Sequence, residues 1–179
     1  MSGQSVTSNT NFVTDGRTGI DIMNVTSACN YGAGESHFGA GGSEYVYAQS
    51  AAALNQGAMV AVSGGSILTG VTGALMGTAS ATLPVRYGFV QTAFAASSWG
   101  FVMVRGAKVL VRVQGSPAPQ NVLYTTDTSG ELSVTTATAS QFQIFGVQME
   151  SSVSASGSTA SVATANVSFP IARRPHMSV

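Results

Sequence analysis

The chain has 179 residues, of which 8% are charged, seven cationic and seven anionic, for a formal net charge of zero, while 44% are apolar. That length suits one domain with extra segments and excludes two full-sized ones. The missing charge excludes a broad field for collecting phosphates or anionic headgroups, so neither nucleic acid nor a membrane is an expected partner; the apolar content excludes a disordered chain.

Residues 1 to 42 open with Ser, Thr, Asn and Gln and end in Gly39-Ala40-Gly41-Gly42, a composition that reads as an extended N-terminal arm ahead of a domain spanning 43 to 179. The first residues have neither a basic nor an apolar signal region, so synthesis in a cytoplasm is expected. Two short apolar patches, Phe12-Val13 and Ile20 to Met23, are too small for a core. They suit either strand addition to a neighbour, with Phe12, Val13, Ile20 and Ile22 as intersubunit anchors, or packing back onto the same subunit.

From Glu44 the pattern becomes strands separated by turns. Glu44 to Ala48 and Ala58 to Val62 read as strands, with one helical turn open at Ala51 to Leu54. Ile67 to Leu83 is expected to be a strand and a long loop. Tyr87 to Thr92, Trp99 to Val104 and Lys108 to Val113 give the clearest strand signals, with turns expected at Ala95 to Ser98 and at Arg105-Gly106-Ala107. In the last of these, Val109, Val111 and Val113 share one face and Lys108, Leu110 and Arg112 the other. Val122 to Thr126, Glu131 to Val134, Gln143 to Gln148 and Thr164 to Phe169 complete the set, with a type I turn at Asp127 to Gly130. Short strands with Gly-rich turns indicate an all-β domain, a small barrel or sandwich of β-tulip or jelly-roll type. No internal repeat of fixed period is evident.

Chemistry is scarce. Cys29 is the single cysteine, which rules out an intrachain disulfide or a cysteine-built zinc site. Glu35 and His37 share a face of an extended chain, but two ligands do not complete a metal site. Gly34-Glu35-Ser36-His37-Phe38 lacks the final glycine and preceding strand of a hydrolase nucleophile elbow. No catalytic residue, cofactor or metal is therefore expected, and the chain is not read as an enzyme. Trp99 with Phe89, Phe94 and Phe101 is either a core cluster or a platform for stacking sugars. Arg105, Lys108 and Arg112 form a small basic set, either solvated or aimed at an acidic partner.

Gly88-Phe89-Val90-Gln91-Thr92-Ala93, Trp99-Gly100-Phe101-Val102-Met103-Val104-Arg105-Gly106, Val122-Leu123-Tyr124-Thr125-Thr126-Asp127-Thr128-Ser129-Gly130 and Ile144-Phe145-Gly146-Val147 stand in that order. In this arrangement the sequence resembles the decoration (cement) proteins of tailed-phage heads over roughly residues 44 to 150. It departs from their pattern in the long polar arm and in the Ser/Ala-rich connector from Ser151 to Ala163. The resemblance implies a structural virion protein on the capsid exterior. It would bind the major capsid protein across capsomer junctions as a dimer or trimer and stabilise the mature shell. The alternative is a head-fibre or tail-associated module that binds host-surface glycans.

Overall fold

The computed structural model describes residues 12–13, 20–70, 85–135, 141–150, 152 and 159–173. Apart from one 3-10 turn at Ala40–Gly42, its regular structure is β-strand. The all-β expectation holds. β1 (Phe12–Val13) and β2 (Ile20–Asp21) pair with each other. The other strands are β3 (Ser36–Phe38), β4 (Glu44–Ser50), β5 (Met59–Ser63), β6 (Ser66–Gly70), β7 (Arg86–Val90), β8 (Trp99–Gln114), β9 (Leu123–Thr125), β10 (Leu132–Ser133), β11 (Gln143–Met149) and β12 (Ser161–Arg173). They form one sheet in the order β10-β9-β11-β12-β8-β7-β5-β6-β4-β3, with further pairings of β8 to both β4 and β10.

Those extra pairings turn the sheet into two circuits that share β8. The first runs β8-β7-β5-β6-β4 and returns to β8; the second runs β8-β12-β11-β9-β10 and returns to β8. Each circuit has a single parallel pair, β4 with β6 in the first and β10 with β8 in the second. β8 serves both because it has 16 residues. The turn expected at Arg105-Gly106-Ala107 is absent. The strand instead passes through a bulge, where Val109 and Gly106 face Ala165 and Val167 and leave Ala107 and Lys108 between them.

Side-chain alternation sends the two faces of the first circuit into different cores. Val46, Ala48, Val60, Val62, Val90 and Val102 fill one with Leu54 and Phe94. The intervening Tyr45, Tyr47, Met59, Ala61, Phe89 and Phe101 join the other, shared with Val109, Val111, Val113 and Val167 of the second circuit. Strands covered on both faces read as continuous apolar runs, which is why β4 and β5 carry so little polar alternation. Each Val, Leu or Phe buried this way contributes about 1.5–3 kcal/mol relative to exposure.

The first circuit contains a repeat that the sequence does not reveal. Pairs Gln49↔Trp99, Ala48↔Gly100, Tyr47↔Phe101 and Val46↔Val102 join β4 to β8, and Phe89↔Met59, Gly88↔Val60, Tyr87↔Ala61 and Arg86↔Val62 join β7 to β5. Advancing the first partner by 40 residues and setting the second back by 40 turns one ladder into the other. The loops obey the same rule. Leu54 and Phe94 exchange two backbone hydrogen bonds of 3.0 Å at the local two-fold, Gly57 N–H donates to the Val90 carbonyl at 2.8 Å, and Ser97 N–H donates to the Ser50 carbonyl at 2.8 Å. Only Tyr47/Tyr87, Ala53/Ala93 and Val62/Val102 are identical between 45–63 and 85–103, so the duplication escapes sequence comparison. The helical turn expected at Ala51 to Leu54 does not form either. Leu54 is committed to the bridge with Phe94, and backbone pairing there outweighs the alanines' helix propensity.

Candidate functional site

Of the segment expected as an arm, the part from Ile22 to Gly42 lies on the domain. Ile22 is 2% exposed in the chain's own core, so it is no intersubunit anchor. Thr26 bridges to Trp99, and β3 pairs with β4. Phe12, Val13 and Ile20 belong to the separate β1–β2 ladder. Residues 1–11 and 14–19 lie outside the described residues.

The Glu35-Ser36-His37 segment occupies the start of β3. Ser36 Oγ accepts a 2.6 Å hydrogen bond from Arg86 Nη1, while His37 turns to the other face and is buried edge-on against Tyr31 and Phe101. Among the described residues neither His37 ring nitrogen has a hydrogen-bond partner, and Glu35 Oε2 lies 4.0 Å from Nε2. A nucleophile and its base must be within hydrogen-bond reach of each other, and consecutive residues of a strand point apart. Ser36 and His37 therefore do not form such a pair. Trp99 stacks on Tyr47 with ring centroids 5.6 Å apart and packs against the core, in an aromatic cluster that also holds Phe101 and Tyr31. The core-cluster reading describes Trp99, Phe89 and Phe101, whereas Phe94 lies in the other core with Leu54.

The basic set separates. Arg112 donates from Nε to Glu131 Oε1 at 2.8 Å, and Gln114 Nε2 donates to Glu131 Oε2 at 2.6 Å, so Arg112 ties β8 to the turn before β10. Arg86 is likewise 3.4 Å from Glu44 Oε1. Arg105 and Lys108 are exposed and form no salt bridge among the described residues. The Arg105 guanidinium lies over the Phe169 ring, 5.8 Å from its centroid.

That contact leads to a surface that sequence reasoning missed. Phe38 pairs with Glu44, Glu44 with Arg105, and Arg105 with Ser168, while Phe145 of β11 pairs with Ile171 of β12. One end of five neighbouring strands therefore carries Phe38, Phe145, Phe169 and Ile171, which are 59%, 44%, 47% and 48% exposed. Alternation along β12 buries Ala163, Ala165 and Val167 and, continued, would bury Phe169 and Ile171 as well. It fails because Phe169 has φ 46° and Gly146, opposite, has φ 77°. β12 carries two more residues than β11 between the pairs Phe145↔Ile171 and Val147↔Val167. A Cβ on Gly146 would run into the Ser168 carbonyl, so glycine is required for the strands to approach. The only sequence signals were the glycine in β11 and the Phe169-Pro170 step in a strand.

No family model matches the chain, and no curated protein matches it.

Proposed function

We propose that this protein is a structural virion component, a decoration protein bound to the outside of a tailed-phage capsid. The observation that carries the reading is the set of exposed Phe38, Phe145, Phe169 and Ile171 at one end of five neighbouring strands, with Arg105, which forms no salt bridge among the described residues, over the Phe169 ring. Several exposed large apolar side chains at one end of a sheet, with polar groups between them, suit a protein interaction site. These side chains stand on strands of the two circuits and on β3 at their edge. The segments that carry the resemblance to cement proteins build β7, β8, β9 and β11 of that scaffold.

Binding to the mature lattice and not to its precursor stabilises the mature form by mass action, by RT ln(1 + [L]/Kd) for each site. Many copies across capsomer junctions, each as a dimer or trimer, multiply a modest contact. No step of this mechanism needs a catalytic group or cofactor. Cosedimentation of the purified protein with mature capsids and with unexpanded procapsids is the test. Saturable binding to mature shells alone is expected; binding to neither overturns the reading.

A further inference from the structure

We infer that Phe169 is the anchoring side chain of this docking surface, and that the partner meets it with an apolar pocket flanked by carboxylates. The inference rests on the shell-binding reading and adds the residue and the chemistry of the contact.

The backbone makes the first argument. A bulky residue at φ 46° inside a strand is a conformational outlier, because its Cβ crowds the neighbouring carbonyl. The fold needs a left-handed residue at this point of β12 to accommodate the extra residues opposite Gly146. Glycine or asparagine would supply it with less strain. Solubility points the same way, since a 47% exposed aromatic ring is a liability on a free surface. Folding and solubility thus both disfavour Phe169. Strained residues persist where function holds them, and a docking anchor is the function that uses an exposed ring.

Charge identifies the partner. Among the described residues, Arg86 and Arg112 have carboxylate partners in the same chain. Arg105 and Lys108 do not, and both belong to the stretch of β8 paired with β12 before Phe169. Arg105 also stacks on the Phe169 ring, which fixes the ring's presentation and places a cation at its edge. Lys108 is itself at φ 54°, on the bulge beside Gly106. An apolar ring with one cation at its edge, and a second exposed cation on the bulge of the same ladder, complements an apolar pocket with acidic side chains around it.

The experiment compares wild type, Phe169→Gly, Phe169→Asn and Val162→Ser for thermal midpoint and for cosedimentation with mature shells at low and high salt. Val162 is exposed but pairs with Arg112, away from the row, and serves as the control. Both Phe169 variants are expected to keep a midpoint at or above wild type and to bind about 30-fold more weakly, the loss typical of a hot-spot residue. Val162→Ser is expected to bind like wild type, and wild-type binding is expected to weaken with salt. Binding of the Phe169 variants within about twofold of wild type overturns the anchor, since hot-spot truncations lose far more. A midpoint lowered by more than about 5 °C also overturns it, because the ring would then be held for the fold. Wild-type binding that ignores salt overturns the acidic rim. Absence of wild-type binding overturns the shell reading and this inference together, and the wild-type arm alone reveals it.

Discussion

At Gly57 and Ser97 the chain makes the same left-handed turn, with φ 78° and 61°, in two strand–loop–strand units that share a backbone and few side chains. The first unit meets the requirement with glycine. The second meets it with serine, at a steric disadvantage. Leu54 and Phe94 likewise occupy one position with different volumes, and Tyr47 and Tyr87 are the same residue in different surroundings. Tyr47 is fully buried, accepting a hydrogen bond from Asn30 N–H at 3.2 Å and donating to the Ala28 carbonyl at 3.4 Å, whereas Tyr87 is half-buried. Backbone geometry at the two-fold is thus conserved between the units through hydrogen bonds, and side chains are free to diverge wherever a volume can be filled from the other side.

The largest expected break in that equivalence is at the bridge. Phe94→Ala should destabilise the fold by about 3–5 kcal/mol and Leu54→Ala by about 2–5 kcal/mol. Both side chains are buried in the same core, so denaturant melts of the two variants should agree in sign and differ in size. The turn gives smaller and opposite effects. Gly57→Ala should lower stability by about 1–3 kcal/mol, since its Cβ would meet Arg112 N at 3.0 Å in a left-handed backbone. Ser97→Gly should leave stability unchanged or raise it by up to about 1 kcal/mol through relief of strain. Equal losses at both positions would mean that the two turns are not equivalent.

The tyrosines give the smallest effect. Burial raises the Tyr87 phenol above its ordinary value, so in alkaline solution the unfolded chain ionises there first. Stability from this group is fully present below about pH 10 and is lost as pH rises through the folded value. Tyr87→Phe should therefore flatten the alkaline limb of a stability–pH curve, and an unaltered limb would assign that limb to other groups.

β4, β5, β7 and the start of β8 were legible as apolar runs between turns, and the later part of β8 because period-two alternation survives there. Val109, Val111 and Val113 are buried and Lys108 is exposed, as the pattern of β8 implies. What escaped were places where register, not composition, decides. Arg105-Gly106-Ala107 has the composition of a turn but a partner on either side, Glu44 of β4 and Val167 and Ser168 of β12, which keeps the chain extended. Ala51 to Leu54 has helix-forming residues but a bridge to Phe94. Of the candidate site, Arg105 and Lys108 were legible as a basic set. The aromatic row was not, because alternation assigns Phe169 and Ile171 to the same face as Val167, and only the extra residues of β12 turn them out.

The sharing of β8 by two circuits has a mechanical side. β8 has β4 and β7 on its flanks near its start and β12 and β10 at its end, so it cannot leave one perimeter without opening the other. Tension applied along β12 at the aromatic row passes into β8 across the ladder that joins them, which a pull along the strand loads in shear. Bonds loaded side by side yield together, whereas bonds opened in sequence yield one at a time. The domain thus has the build of a rivet, with its head at the row of phenylalanines and its shank wound twice around a common pin.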